Sequence, residues 1–133
     1  MGYTHGKRQP AFIFQWGKFQ SAAGRELDWK IDCDGLNSSD WHCIANIMAR
    51  QLRPFGRVHG VPRGGVPFAD ALAPHCRPEC GMVLIADDVW TTGKSMTAFA
   101  DTLDGQTWIG VVAFARGELP GNVIAFAEIP GEM

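Results

Sequence analysis

The sequence has no long hydrophobic run, no basic cluster and no paired-cysteine motif, and each absence excludes a class of protein. No apolar stretch approaches the roughly 20 residues that a transmembrane helix needs. The formal net charge of −2 argues against non-specific binding to nucleic acid. The opening segment, MGYTHGKRQP, lacks the apolar region of a signal peptide. We therefore expect a cytoplasmic protein.

The cysteines are few and none forms a Cys-x-x-Cys pair; they are Cys33, Cys43, Cys76 and Cys80. A reducing compartment would keep them as thiols. The segment HCRPEC, His75 to Cys80, has an alternative interpretation as a metal-ligand cluster. Zinc knuckles favour tighter spacing and a second ligand pair. We therefore interpret this segment as a polar surface turn.

The remaining composition is that of one globular domain, and apolar segments alternate with helical patterns along it. We predict strands in LDWKID (27–32), MVLIAD (82–87), WIGVVAFA (108–115) and NVIAFAEI (122–129), and a strand or packed arm in AFIFQW (11–16). A further short strand is predicted at the start of RVHGVPRGG, before its glycine turn. We predict helices over 37–52, 66–73 and 95–103, and a turn over GKFQSAAG (17–24). This alternation indicates an α/β fold, with a mostly parallel sheet and helices on both faces.

Three segments at the ends of predicted strands carry unusual chemistry: 59–65, 87–95 and Arg116-Gly117. In open parallel sheets, ligands bind beyond the carboxyl ends of the strands. The sequence therefore predicts that these three segments converge on one crevice.

The segment VLIADDVWTTGKS (83–95) ends like a nucleotide-binding P-loop, with Gly-Lys-Ser entering a helix. A P-loop needs a glycine five residues before the Gly-Lys pair, so that the backbone can wrap around a diphosphate. Asp88 occupies that position here. Its carboxylate would face the phosphates, so the P-loop interpretation fails.

A division of the segment into two tasks fits better. The residues of a tight turn into a helix N-terminus suit one terminal phosphate; they are Thr91, Thr92, Gly93, Lys94 and Ser95. Asp87 and Asp88 can accept hydrogen bonds from vicinal hydroxyls and hold a hydrated Mg²⁺, directly or through water. A phosphate beside a diol describes a ribose 5-phosphate. The alternative is a solvated turn that only caps a helix.

This pattern of an apolar strand, two acids, a hydrophobic pair and Thr-Thr-Gly resembles the phosphoribosyl pyrophosphate (PRPP) motif of type I phosphoribosyltransferases. The resemblance implies that fold, with Asp87 and Asp88 on the ribose 2- and 3-hydroxyls and 91–95 on the 5-phosphate. It also implies that the GVPRGG loop (60–65) binds pyrophosphate, through Pro62, Arg63, Gly64 and Gly65. Such loops often contain a strained peptide, and Arg63 offers a forked cation to phosphate oxygens. The alternative for Arg63 is a surface arginine in a plain turn.

The segment WGKFQSAAGRELDWKID (16–32) is similar to the start of orotate phosphoribosyltransferases, where this region forms a hood over the base. The similarity implies a single domain over 1–133, with 1–36 as hood or arm. It also implies base contacts from Trp29, Lys30 and Arg116. Ala22-Ala23 replaces the usual Lys-Ser pair. The alternatives are a half-buried strand for Trp29 and Lys30, and a surface charge for Arg116.

A second departure lies between Gly65 and Asp87, where orotate enzymes place an extra strand and a long flexible lid. This chain has room only for one helix and a short turn, so we predict a shortened lid region.

The expected function is Mg²⁺-dependent transfer of a phosphoribosyl group from PRPP to a nucleobase, orotate before others, with release of pyrophosphate. Asp87, Asp88 and Arg63 would be the catalytic residues, and the family implies a homodimer. Two alternatives stay open: a PRPP-binding regulatory module without turnover, and a purine phosphoribosyltransferase.

Overall fold

A computed structural model describes residues 14–20 and 26–129, and up to residue 30 it describes the backbone alone. The chain divides into two compact units, Met1–Asn37 and Ser38–Met133. The expected single domain, with its hood over 1–36, stays a prediction. In the described ranges no helix is long and apolar enough to cross a membrane.

The first unit contains an antiparallel hairpin of β1 (Phe14–Gln20) and β2 (Glu26–Ile31). Trp16 pairs with Trp29, and the register shifts between Trp16 and Phe19. The strand predicted at 27–32 is confirmed. The turn predicted over 17–24 is wrong for 17–20, which continue β1 because the shift in register between Trp16 and Phe19 takes up the extra residue within the ladder. Residues 11–13 of the strand predicted at 11–16, and residues 21–24 of the predicted turn, lie outside the described residues.

The second unit is built on a four-stranded parallel sheet in the order β3-β4-β5-β6. The strands are β3 (Arg57–Gly60), β4 (Val83–Trp90), β5 (Trp108–Arg116) and β6 (Val123–Ile129). The helices are α1 (Ser38–Ala49), α2 (Val66–Leu72) and α3 (Lys94–Ala100). The predicted α/β class is confirmed. Since all four strands are parallel, their carboxyl ends lie along one edge of the sheet.

Burial on both faces explains the apolar runs. Val83, Leu84 and Ile85 of β4 are all 1% exposed or less, so both sides of the strand are covered. One face packs with Met96 of α3 in a core cluster that includes Val83, Ile85 and Val112. The pleat turns Leu84 to the opposite face, and α2 contacts β3 and β4.

The apolar residues buried in α1 form the single face that their spacing predicts. The buried residues of α1 are spaced to form one stripe, and they are Trp41, Ile44, Ala45 and Met48. Trp41 packs on Phe68 of α2, with ring centroids 5.1 Å apart. α1 ends at Ala49, three residues before the predicted end, and Leu52 still donates its N–H to the Met48 carbonyl at 3.0 Å.

The connection from β3 to β4 is short, and all of it is described. It consists of a five-residue loop, α2, a 3₁₀ turn at Ala73–His75 and a loop of seven residues, with no further strand. The predicted shortness of the lid region is therefore confirmed.

Candidate active site

The two adjacent acids lie inside β4, which runs three residues beyond its predicted end at Asp87. Asp87 is 7% exposed, and its Oδ1 accepts a hydrogen bond from the Asp88 N–H at 2.8 Å. Oδ1 of Asp88, which is half-buried, accepts one from the Val89 N–H at 2.8 Å. Both carboxylates are thus oriented by their own backbone at the carboxyl end of the sheet.

Burial raises the pKa of Asp87 to about 8. That value already includes the smaller upward effects of the hydrogen bond with the Asp88 side chain and of the negative charge of Asp88, and a lowering by the Asp88 backbone N–H. Two carboxylates at close range resist joint ionisation. A cation or a hydrogen-bond donor placed between them would favour the fully ionised pair.

The GVPRGG loop after β3 folds directly against these acids. The Val61 N–H donates to the Ala86 carbonyl at 2.9 Å, and the Gly65 N–H donates to the Val61 carbonyl at 2.9 Å. The Pro62–Arg63 peptide is cis. A Cβ on Gly64 would lie 2.7 Å from Cγ of Asp88, which is closer than side chains tolerate. The loop backbone therefore reaches the Asp88 carboxylate because Gly64 has no side chain.

The cation of this loop, Arg63, lies on its exposed side together with Pro62. Gly65, in contrast, is buried, and a Cβ there would lie 2.9 Å from Cα of Asp87. The loop thus offers an exposed guanidinium and a close backbone approach at the same point.

The turn from β4 into α3, residues 91–95, is the segment predicted to bind phosphate. Gly93 is buried with φ 83°, and Thr92 Oγ1 accepts from the Lys94 N–H at 3.4 Å. The side chains that could meet a ligand are exposed; they are Thr91, Thr92, Lys94 and Ser95. The N–H groups in the first turn of a helix suit a phosphate.

The end of β5 meets this turn. A Cβ on Gly117 would lie 3.1 Å from the Thr91 carbonyl oxygen, and Trp90 Nε1–H donates to the Glu118 carbonyl at 3.1 Å. Together with the approach of Gly64 to Asp88, these contacts bring all three strand-end segments to one place. The predicted convergence is confirmed.

Of the three residues predicted to contact the base, the structure describes the side chain of Arg116 alone. Arg116 is the last residue of β5 and is only 9% exposed. Its interpretation as a surface charge is therefore wrong, because the end of β5 is buried. The side chains of Trp29 and Lys30 lie outside the described part of the structure.

The chemistry of the acids fits Mg²⁺. Asp87 and Asp88 supply hard oxygen donors, and Mg²⁺ in proteins is commonly held by one or two carboxylates together with water and substrate phosphates. No group of three or more His, Cys, Asp or Glu side chains that could hold a metal occurs among the described residues. Within the HCRPEC segment, His75 Nε2 contacts Asn46 Oδ1 at 3.2 Å.

One feature of the site was missed at the sequence level. Trp90 was interpreted only as part of a hydrophobic pair, yet its indole contacts both Gly93 and Glu118. The available signal was a tryptophan placed directly before a glycine turn, a position where a large ring must pack on one side of that turn.

Comparison with models of protein families gives no match, and neither does comparison with curated proteins. Solved structures do match. The orotate phosphoribosyltransferase from Aeropyrum pernix is 23% identical, with a TM-score of 0.72 and 88% of each chain covered. The orotate phosphoribosyltransferase of Mycobacterium tuberculosis H37Rv is 20% identical, with a TM-score of 0.68 and 90% of each chain covered. UMP synthase from Leishmania donovani is 18% identical, with a TM-score of 0.72 over 88% of this chain and 34% of that one. The chain therefore has the type I phosphoribosyltransferase fold, in the form that these orotate phosphoribosyltransferases share.

Proposed function

We propose that the protein transfers a phosphoribosyl group from PRPP to a nucleobase and releases pyrophosphate. The observation that carries this proposal is the approach of Gly64 to Asp88, which joins a loop suited to pyrophosphate to a carboxylate suited to the ribose diol. The turn at 91–95 directly follows the strand that carries Asp88, and it supplies the proposed site for the 5-phosphate. Similarity of fold to orotate phosphoribosyltransferases supports the same conclusion.

Each part of the substrate has its proposed partner. Asp87 and Asp88 accept hydrogen bonds from the ribose 2- and 3-hydroxyls. The turn of Thr91, Thr92, Gly93, Lys94 and Ser95 holds the 5-phosphate. Pro62, Arg63, Gly64 and Gly65 receive the pyrophosphate, with the Arg63 guanidinium as its cation.

In the reaction, the bond from the anomeric carbon to pyrophosphate breaks and a bond to a nucleobase nitrogen forms on the opposite face. The electron pair of the broken bond leaves with pyrophosphate, so positive charge develops on the sugar. The carboxylates of Asp87 and Asp88 lie near this charge and hold the ring in place. Mg²⁺, held by these two residues directly or through water, would supply charge that stabilises pyrophosphate.

Orotate is the first acceptor that we propose. It is an anion through its carboxylate, and its ring nitrogen loses its proton to solvent water as the bond to the sugar forms. Arg116 is the candidate partner for its carboxylate, because a guanidinium binds a planar anion through two parallel hydrogen bonds. Trp29 and Lys30 are proposed to contact the base from the hood.

The short β3–β4 connection bears on the rate. Pro62, Arg63, Thr91 and Thr92 are all exposed. Water in the site weakens electrostatic stabilisation and competes with the base for the sugar. We therefore expect a slow transferase with measurable PRPP hydrolysis.

The test is Mg²⁺-dependent release of pyrophosphate from PRPP, with orotate and then adenine, guanine, hypoxanthine and uracil as acceptors. Release that requires orotate, and is lost in Asp88→Asn, supports the proposal. Release that requires a purine would keep the reaction and change the acceptor.

The same short connection favours one second candidate, a module that binds PRPP without turnover. Calorimetric binding of PRPP with no release of pyrophosphate for any acceptor would support it. The homodimer implied by the family is a further proposal, and sedimentation equilibrium with and without PRPP measures it.

A further inference from the structure

Trp90 lies between the turn at 91–95 and the loop that connects β5 to β6, residues 117–122, which we call the β5–β6 loop. It is the last residue of β4 and is 7% exposed. Its indole N–H donates to the Glu118 carbonyl at 3.1 Å. This hydrogen bond spans 28 residues of sequence and joins the ends of two neighbouring strands.

The opposite contact of the indole is with Gly93. A Cβ on Gly93 would lie 3.1 Å from Cε2 of Trp90, and two further ring atoms would be closer still. The backbone of the turn therefore rests on the ring itself. A smaller or displaced ring would leave the turn without this contact.

The indole is itself held by the core. It belongs to the cluster that contains Met96 and Val112, and Leu119 of the β5–β6 loop packs against that cluster. The Gly117 backbone also approaches the Thr91 carbonyl. The β5–β6 loop thus has a polar anchor at Glu118, whose carbonyl accepts from Trp90, and an apolar anchor at Leu119, which packs on the cluster to which Trp90 belongs.

We infer that Trp90 is a positioning residue, which holds the β5–β6 loop against the phosphate turn and so sets the affinity for the acceptor base. The inference rests on the proposed function, because Arg116 directly precedes this loop and is the proposed partner of the acceptor. Trp90 touches neither substrate; it acts through Glu118 on one side and Gly93 on the other.

The first experiment needs no turnover. Trp90→Phe keeps a ring beneath Gly93 and removes the N–H that binds Glu118. We expect amide exchange across 117–122 to become at least about fivefold faster, the size of one lost hydrogen bond. Trp108→Phe is the matched control, since Trp108 begins β5 at the opposite end of the sheet from Glu118. It should leave exchange across 117–122 unchanged.

The second experiment measures kinetics with PRPP and orotate. In Trp90→Phe we expect the KM for orotate to rise about fivefold to tenfold, while kcat and the KM for PRPP stay within about threefold. A merely structural role would lower the apparent kcat alone, through loss of folded enzyme, or would impair all three parameters together. Leu119→Ala removes the apolar anchor without touching the indole and should raise the KM for orotate in the same way. It carries the test if Trp90→Phe does not fold.

The outcomes separate the two ideas. If the wild-type protein releases no pyrophosphate with any acceptor, the proposed function fails, and exchange across 117–122 still decides whether Trp90 holds the loop. Exchange that is equal in Trp90→Phe and Trp108→Phe overturns the inference. So does an unchanged KM for orotate in an active Trp90→Phe or Leu119→Ala enzyme.

Discussion

Gly64 lies so close to Asp88 that a Cβ on the glycine would be 2.7 Å from the carboxylate carbon. The two residues belong to different strand ends, and their contact joins the GVPRGG loop to the acidic pair. A side chain at residue 64 would have to displace the loop, the carboxylate or both.

Gly64→Ala should therefore weaken PRPP binding by at least about tenfold, with a smaller effect on folding because the loop is at the surface. Calorimetric titration with PRPP and Mg²⁺ measures it. Gly81→Ala is the matched control, since a Cβ there meets nothing within 4 Å. Equal affinities in the two variants would contradict the assignment of this loop to the substrate.

Asp87 should make the ligand-free protein less stable as pH rises. Its pKa is raised from 3.8 to about 8 in the folded state, first by burial and then by Asp88. Below pH 4 both states hold the proton; between about 4 and 8 only the folded state does, so stability falls as pH increases through this window. The total effect is on the order of a few kcal/mol.

Urea denaturation at pH 4.5, 6 and 8 in EDTA measures this slope, and the comparison is with Asp87→Asn, which has no proton to lose. We expect the variant to gain relative to wild type at pH 8. Parallel pH profiles for the two proteins would show that Asp87 titrates normally.

Binding of Mg²⁺ with PRPP should release protons below pH 8. A cation beside the acidic pair favours the ionised form of Asp87, whose pKa is raised in its absence. Calorimetry at pH 7 in buffers of different ionisation enthalpy gives the number of protons released. Asp87→Asn should release fewer, whereas Asp104→Asn, at an exposed turn far along the chain, should match wild type.

Gly93→Ala should destabilise the protein and weaken PRPP binding together. The positive φ costs roughly 1–2 kcal/mol for an alanine, and the contact with the Trp90 ring adds about 1–3 kcal/mol of overpacking. Gly105→Ala is a control with the same kind of φ, 79°, but with nothing within 4 Å. Thermal denaturation of the pair isolates the Trp90 contact, and identical losses would mean that the ring moves aside freely.

Arg116→Ala should abolish the use of orotate and preserve PRPP binding. Arg116 is buried, so some loss of stability accompanies the change, and Arg116→Lys serves as a control that keeps the charge and loses the planar fork. Steady-state kinetics with orotate and with a purine base, alongside calorimetry with PRPP, measures the effect. Full orotate activity in Arg116→Ala would remove Arg116 from the acceptor site.

Local patterns determined the elements that depend on neighbouring residues. The apolar runs of β4 and β5 predicted buried strands because burial on both faces needs unbroken hydrophobicity. The spacing of Trp41, Ile44 and Met48 predicted one helix face. The acidic pair and the turn at 91–95 are contiguous, so their chemistry could be interpreted from one segment.

Only the tertiary structure decided the contacts between segments far apart in sequence. The approach of Gly64 to Asp88 and the hydrogen bond from Trp90 to Glu118 depend on how parallel strands align, which no short window of sequence specifies. The same holds for the burial of Arg116 and for β1, where pairing with β2 extended a strand through residues interpreted as a turn. Sequence alone thus determined which chemical groups the site contains, because their motif is local. The fold decided which of them meet, because strand register is a property of the whole sheet.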